Sequence, residues 1–334
     1  MGCDQQQFSF RIVARNRRNG SAKHAVRISE FITLVDLGSN AVRLLLVSLL
    51  PEIGFRVIRE ERVQTRLGGS RSGELIQSSV EQTVQAVQQF LSDVQCYHPR
   101  TVAVATAAVR EARNRATLID ALRRDAGIEV AVLSGEEEGR LGTRAVLHNL
   151  SCHDGVIVDL GGGSVQITRV QQDTIVSVSS FPLGAVRLTH RFLQHDPPTV
   201  RELLALREEI REQVWRVLPH ARSNGVLVGL GGTVRALARM HVAAFSELEA
   251  PPPLLFLPRS DIIALRKQLA AVPVRARCLP GLRADRADII VAGTVVIEEL
   301  MTLGEYQTLT ICFQGGVRQG ILLRETFTQK EPVA

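Results

Sequence analysis

The sequence predicts an α/β protein in which two like domains face each other across a cleft. A short segment begins at Val35 and is repeated from Val158, 123 positions later. Each copy has an apolar strand that ends in Asp, a turn of Gly and Ser, and a second run of β-prone residues. Strand and helix patterns alternate through both halves, and 334 residues are enough for two average domains.

The first domain is predicted to cover residues 31–145. Strands are expected at 32–35 and 42–49, around the first turn, and then at 55–63, 101–105 and 129–133. A helix is expected at 79–98 because apolar residues recur there at helical spacing (Val80, Val84, Val87, Leu91 and Val94). Two more helices are expected at 115–126, ending at Gly127, and from Ser134 to about 149.

The second domain is predicted to cover residues 146–328 and to begin with its own hairpin. A long amphipathic helix is expected at 199–218, with its buried face formed by Val200, Leu203, Ile210, Val214 and Val217. A strand at 225–230 leads through a third glycine turn into a helix that ends near His241. Further helices are expected at 262–269, 287–303 and 317–327, and a last strand at 308–313.

The composition favours some partners and excludes others. The net charge of +6 and the pI of about 9.5 indicate an anionic partner. Aromatic residues make up only 4%, which leaves little for stacking on bases, so no nucleic-acid partner is expected. No apolar run reaches the roughly 18 residues of a membrane span, and the five scattered cysteines suit a reducing, cytoplasmic location. Residues 1–30 are rich in Arg and are expected to be a disordered basic tail.

The glycine turns are candidate phosphate sites, because phosphate must approach the backbone closely and any Cβ would obstruct it. The carboxylates Asp36 and Asp159, which precede the two repeated turns, suit Mg²⁺, although an Asp can also cap its own turn. The third turn opens a helix whose N-terminus would favour an anion, although it could be a plain helix start. The candidate phosphate-binding residues of the turns are Gly38, Ser39, Asn40, Gly161, Gly162, Gly163, Ser164, Gly231, Gly232 and Thr233.

Two charged positions are candidates for the reaction itself. Three acids, Glu136 to Glu138, follow Ser134 at a helix start, where Ser134 and Glu137 form a capping-box pattern. Capping explains two of the three acids, and a carboxylate crowded near phosphate could act as general base on water. Arg110 follows a strand end, where it could bind phosphate through two nitrogens or remain a solvated surface residue.

The motifs together resemble the Ppx/GppA phosphatases, which are exopolyphosphatases and guanosine pentaphosphate phosphohydrolases of the actin/sugar-kinase/Hsp70 superfamily. The similarity runs from about Phe31 to Arg324 and includes the segments 35–40 with Arg43, 105–110 with Asn114, 134–138, 159–164, 231–233 and 286–293. The resemblance implies two ribonuclease H-like domains around a central cleft. It also implies that Glu138 is the general base, that Asp159 and Asp36 bind Mg²⁺, and that Ser39, Asn40, Arg43, Arg110 and the 161–164 turn contact phosphate.

The resemblance further implies a phosphoric anhydride hydrolase that releases orthophosphate from polyphosphate, with guanosine pentaphosphate as the alternative substrate and a homodimer as one possible assembly. Gln166 stands where the family commonly has Glu, and the segment 312–320 keeps Arg318 but lacks the family's acidic or Ser-containing strand end. These departures leave open a non-catalytic regulator that binds polyphosphate or guanosine alarmones. A kinase or ATPase of the same superfamily is a further alternative, which the Ser134 to Glu138 segment disfavours.

Overall fold

The structure is a computed structural model that describes residues 30–50, 54–69, 72–150, 152, 154–218, 225–245 and 251–327. The predicted basic tail therefore lies outside the described residues, apart from Glu30. Within the described residues, no helix combines the length and the apolar character that a membrane-spanning segment needs.

A five-stranded sheet forms the first half of the molecule, in the order β3-β2-β1-β4-β5. The first three strands are antiparallel neighbours, whereas β4 and β5 run parallel to β1. The strands are β1 (Glu30–Leu37), β2 (Val42–Leu50), β3 (Gly54–Val63), β4 (Arg100–Ala105) and β5 (Val130–Val132).

A six-stranded sheet repeats this arrangement in the second half, in the order β8-β7-β6-β9-β11-β10. Its first five strands have the same order and directions as the first sheet, and β10 adds an antiparallel edge. The strands are β6 (Asp154–Leu160), β7 (Val165–Gln171), β8 (Thr174–Phe181), β9 (Val226–Gly231), β10 (Leu254–Pro258) and β11 (Thr308–Cys312). The predicted pair of like α/β domains is thus confirmed.

Helices cover the faces of both sheets. They are α1 (Gln77–Val94), α2 (Ala107–Arg110), α3 (Arg115–Ala126), α4 (Gly135–Asn149), α5 (Ala185–Phe192), α6 (Val200–Val214), α7 (Gly232–Phe245), α8 (Arg259–Ala270), α9 (Ile290–Leu303) and α10 (Val317–Phe327). The capping box of Ser134 and Glu137 opens α4, and Gly127 ends α3 with a left-handed φ of 66°. Both helix ends therefore follow the sequence signals.

Strand β2 is apolar on both sides because helices cover both faces of the first sheet. Val42, Leu44 and Leu46 pack with residues of α1 and α3, whereas Leu45, Val47 and Leu49 pack with residues of α4 and α10. The last helix thus returns to the first sheet, where Ile321 and Leu322 are fully or almost fully buried. The domain boundaries at residues 31, 145 and 328 remain predictions.

Two details of the predicted secondary structure are wrong. Helix α6 ends at Val214, and Val200 and Val217 are 74% and 37% exposed, because the buried stripe of the helix runs through Leu206, Ile210 and Val214. Strands β8 and β10 and helices α2 and α5 were not predicted. Two of them, β8 and α5, are eight residues long, and β8 has no buried residue, so each leaves only a short apolar pattern in the sequence.

Candidate functional site

The two repeated turns lie at equivalent places in the two sheets and contact each other. In the β1–β2 hairpin Asp36 lies opposite Arg43, and in the β6–β7 hairpin Asp159 lies opposite Gln166. A Cβ on Gly163 would lie 2.6 Å from Ser39 Oγ and 2.8 Å from Ala107 Cβ. This close approach explains why the second turn needs glycine, and it brings the two turns into one cleft.

The turns leave polar groups without protein partners. The backbone N–H groups of Ser39, Asn40, Gly162 and Gly163 donate to no acceptor in the described part of the chain. The Asn40 side chain is 7% exposed, and both its amide atoms lack a hydrogen-bond partner there. Because buried polar groups are nearly always paired, this arrangement fits a bound anion such as a phosphoryl group.

A cavity of about 150 Å³ opens between the turns. Most of the predicted site residues line it, and they come from both sheets and from α4. They are Asp36, Gly38, Ser39, Asn40, Arg43, Glu138, Asp159, Gly161, Gly162, Gly163, Ser164, Gly231 and Gly232. Gly231 has a φ of 96°, and a Cβ there would collide with the Leu160 carbonyl oxygen, so this turn also requires glycine.

Two predicted phosphate contacts lie outside the cavity lining. Thr233 is buried beside Gly293, since a Cβ built on Gly293 would lie 2.5 Å from the Thr233 hydroxyl oxygen. The structure therefore gives no support to a phosphate contact by Thr233. Arg110 is not part of the lining, but its Nη1 donates to the carboxylate of Glu138, which is. Its Nη1 also donates to the Leu133 carbonyl oxygen at 2.9 Å.

Glu138 is a buried carboxylate on the first turn of α4, with only 5% of its surface exposed. Burial raises the pKa of Glu138 to about 7, opposed by the Arg110 hydrogen bond and charge and reinforced by the charges of Asp159 and Asp36. A carboxylate with a pKa near neutral can take a proton from water and release it again. Its neighbour Glu137 is used in the capping box and is exposed.

Asp36 and Asp159 are half-buried carboxylates that lie among other charged groups. Burial raises the pKa of Asp159 to about 6, and the Asp36 charge contributes to this shift. Burial likewise raises the pKa of Asp36, although Arg318 Nε lies 3.6 Å from Asp36 Oδ2. Crowded carboxylates of this kind favour a cation. The described residues contain no group of three or more acidic, His or Cys ligands. Mg²⁺ commonly binds through one or two carboxylates plus substrate phosphates, so this donor set fits it.

Five arginines line the cavity, and sequence reasoning identified only one of them as a site residue. They are Arg43, Arg62, Arg235, Arg286 and Arg318. Burial and neighbouring guanidinium groups lower the pKa of Arg286 to about 9 and that of Arg62 and Arg235 to about 10. All of these values leave the groups charged at neutral pH. Among the described lining residues, guanidinium groups outnumber carboxylates five to three, and Glu60 and Asp285 pair with three of the arginines from outside the lining.

Two of these arginines have nitrogens without a partner. Arg62 pairs with Asp285 through Nη1, but its Nη2 is buried and makes no hydrogen bond to the described residues. The Arg286 guanidinium lies against Gly232 and makes no hydrogen bond or ion pair with the described chain. No motif spacing marked these positions, although Arg286 begins one of the segments that carry the family resemblance.

Gln166 is 2% exposed and lines the cavity beside the second turn. Its side-chain amide donates to Ser164 Oγ at 2.8 Å and to Ser180 Oγ at 3.1 Å. Because the Ser164 oxygen accepts from Gln166, its own hydroxyl proton is available to donate to a ligand. Gln166 therefore contributes to the site through hydrogen bonding, without the negative charge of Glu.

Comparisons with known proteins agree with this geometry. The Ppx/GppA phosphatase family profile matches residues 47–328. The protein named exopolyphosphatase 1 from Mycobacterium tuberculosis is 31% identical over 313 residues, which cover 90% of each chain.

Two solved structures are similar over most of the chain. The exopolyphosphatase structure from Cytophaga hutchinsonii has a TM-score of 0.80 and 25% identity, over 89% of this chain and 98% of its own. The Ppx/GppA family member from Aquifex aeolicus has a TM-score of 0.74 and 26% identity, over 91% of this chain and 99% of its own.

Proposed function

The chain belongs to the Ppx/GppA phosphatase family, and from this premise we propose that it is an exopolyphosphatase that releases orthophosphate from the end of polyphosphate. One observation carries the proposal. A buried carboxylate with a pKa near 7, Glu138, faces a cavity whose other walls are two phosphate-type turns and five arginines. Such a cavity suits a polyanion and a water molecule that must lose a proton.

The terminal phosphoryl group binds between the two repeated turns. The unpaired N–H groups of Ser39, Asn40, Gly162 and Gly163 and the hydroxyl of Ser164 donate to its oxygens. The unpartnered nitrogens of Arg62 and Arg286 lie in the same cavity and offset the charge of the following phosphoryl groups. Binding thus combines a fixed site for the end of the chain with a cationic wall for its next units.

Glu138 takes a proton from water as the water oxygen forms a bond to the terminal phosphorus. The bond from phosphorus to the bridging oxygen breaks, and its electron pair stays on the shortened chain. Asp36 and Asp159 would hold Mg²⁺, which when bound would offset negative charge on the phosphoryl oxygens. Arg110 orients Glu138, because Nη1 binds both the Glu138 carboxylate and the Leu133 carbonyl oxygen.

Polyphosphate is preferred over guanosine pentaphosphate because the described residues that line the cavity include no aromatic side chain. Guanine would find no aromatic ring to stack on, whereas a chain of phosphates needs only the cationic groups.

The test measures orthophosphate release from polyphosphate and from guanosine pentaphosphate in parallel, with Mg²⁺ and with a chelator. We expect faster release from polyphosphate and a requirement for Mg²⁺. Release from guanosine pentaphosphate alone would replace the proposed substrate. Tight binding of both compounds without release would identify a non-catalytic regulator.

A further inference from the structure

A chain of charged contacts crosses the cleft between the two phosphate turns. Arg187, on α5, donates from Nε to the Gly163 carbonyl oxygen at 2.9 Å and pairs through Nη2 with Glu111 Oε2. Glu111 directly follows α2, and its Oε1 lies 3.6 Å from Arg110 Nη2. Arg110 in turn binds Glu138. One continuous set of contacts therefore joins the second phosphate turn to the candidate general base.

Both ends of this chain need external support. Helix α2 is a single turn of four residues, and no side chain caps its N-terminus, so it does little by itself to fix Arg110. At the other end, Gly163 lies in a turn of three consecutive glycines, whose backbone has wide conformational freedom. The Arg187 side chain fixes the Gly163 carbonyl, and Glu111 fixes the second nitrogen of Arg110.

The exposure of the Glu111 and Arg187 side chains shows whether their ion pair mainly stabilises the fold or mainly orients its neighbours. The Glu111 and Arg187 side chains are 38% and 34% exposed. Ion pairs this exposed usually contribute about 1 kcal/mol or less to stability. Both groups form the wall of a neighbouring cavity of about 540 Å³ that adjoins the site at Ser39, Ala107 and Gly163. Because Arg187 contacts Gly163 and Glu111 contacts Arg110, the pair is better suited to orienting these two residues than to stabilising the fold.

We propose that Glu111 and Arg187 form a bridge that positions the Gly163 carbonyl and the Arg110 guanidinium together, and so aligns the second phosphate turn with the general base. The inference rests on the proposed function for its effect on turnover. Its effect on phosphate binding is independent of turnover, because one end of the bridge holds Gly163 of the phosphate turn, whereas the other end holds Arg110, which contacts the site through Glu138. Glu111 and Arg187 are positioning residues, since neither touches the reacting atoms.

The test is a double-mutant cycle with Glu111→Gln, Arg187→Gln and the double variant. Arg191→Gln is the matched control, because Arg191 lies one turn further along α5 and pairs with Glu209 of the same half. Three quantities are measured for each protein: kcat and KM with tripolyphosphate, orthophosphate affinity by calorimetry, and the melting temperature.

We expect each single bridge variant to lower kcat by about 10- to 100-fold, because small misplacements of reacting groups have large effects on rate. KM should change by less than about threefold, since the arginines of the cavity supply most of the ground-state binding. Orthophosphate affinity should fall with kcat. The double variant should lose no more than the more affected single variant, because both changes break the same bridge. The melting temperatures and the Arg191→Gln control should match the parent.

Losses that multiply in the double variant would overturn the bridge, as would singles that match the parent in both kcat and orthophosphate affinity. A control as impaired as the bridge variants would also overturn it, since loss of any α5 charge would then suffice. Coupled losses of orthophosphate affinity in a protein that releases no phosphate from polyphosphate would support the bridge and refute the proposed function. Normal turnover with independent effects would refute the bridge alone.

Discussion

Glu138→Gln should make the protein more stable at alkaline pH. The structure raises the pKa of Glu138 from 4.5 to about 7, chiefly because the carboxylate is buried. A carboxyl group whose folded pKa is raised binds its proton more tightly in the folded state, so the folded state loses stability as pH rises from about 4.5 through 7. The difference corresponds to about 3 kcal/mol of lost stability above pH 7. A Gln of nearly the same shape avoids this cost, and its amide oxygen can still accept from Arg110.

The assay is chemical denaturation of the parent and Glu138→Gln at pH values between about 4.5 and 8.5. The variant should match the parent at the acidic end, where both side chains are neutral, and exceed it by up to about 3 kcal/mol at the alkaline end. Glu137→Gln is the control, since Glu137 is exposed and its pKa is lowered by the Ser134 backbone hydrogen bond, so its loss should destabilise α4. Equal stability of Glu138→Gln and parent at pH 8 would refute the argument that burial raises the Glu138 pKa.

Three further changes have defined outcomes. The rate of orthophosphate release by the parent should rise with pH to a plateau, with its midpoint near the Glu138 pKa of about 7, because the base acts when deprotonated. A pH-independent rate from pH 5 to 8 would exclude this base. Arg286→Gln should raise KM for tripolyphosphate by about 10-fold, since it removes an unpaired cation from the cavity, while the exposed Arg124→Gln should leave KM unchanged. Gln166→Glu should lower the Mg²⁺ concentration that gives half-maximal release, because it adds a carboxylate beside Asp159. An unchanged half-maximal concentration would place position 166 outside the metal site.

The parts of the site that sequence could predict are those encoded within short segments. The two turns were visible because each carries its Asp, glycines and flanking strands in about a dozen consecutive residues, and the structure places Asp36 and Asp159 at equivalent points of two like sheets. The α4 capping box was visible for the same reason, since Ser134 and Glu137 are three positions apart.

The parts that could not be predicted depend on long-range folding. Arg62, Arg235 and Arg318 come from β3, α7 and α10, and only the packing of α10 against the first sheet and the closure of the cleft bring them together. The Glu111 to Arg187 bridge likewise joins residues 76 positions apart in different halves. Thr233 shows the converse case, because a local motif predicts a phosphate contact there and the structure buries the residue beside Gly293 of α9.

Orthophosphate release from tripolyphosphate by Glu138→Gln, compared with the parent at saturating substrate and Mg²⁺, tests the central claim most directly. The claim is that Glu138 deprotonates the water that attacks the terminal phosphorus. Calorimetric titration of tripolyphosphate into both proteins serves as the binding control. We expect release to fall by about 10²- to 10⁴-fold while tripolyphosphate affinity stays close to that of the parent. A variant that binds equally well and releases phosphate within about threefold of the parental rate would contradict the account.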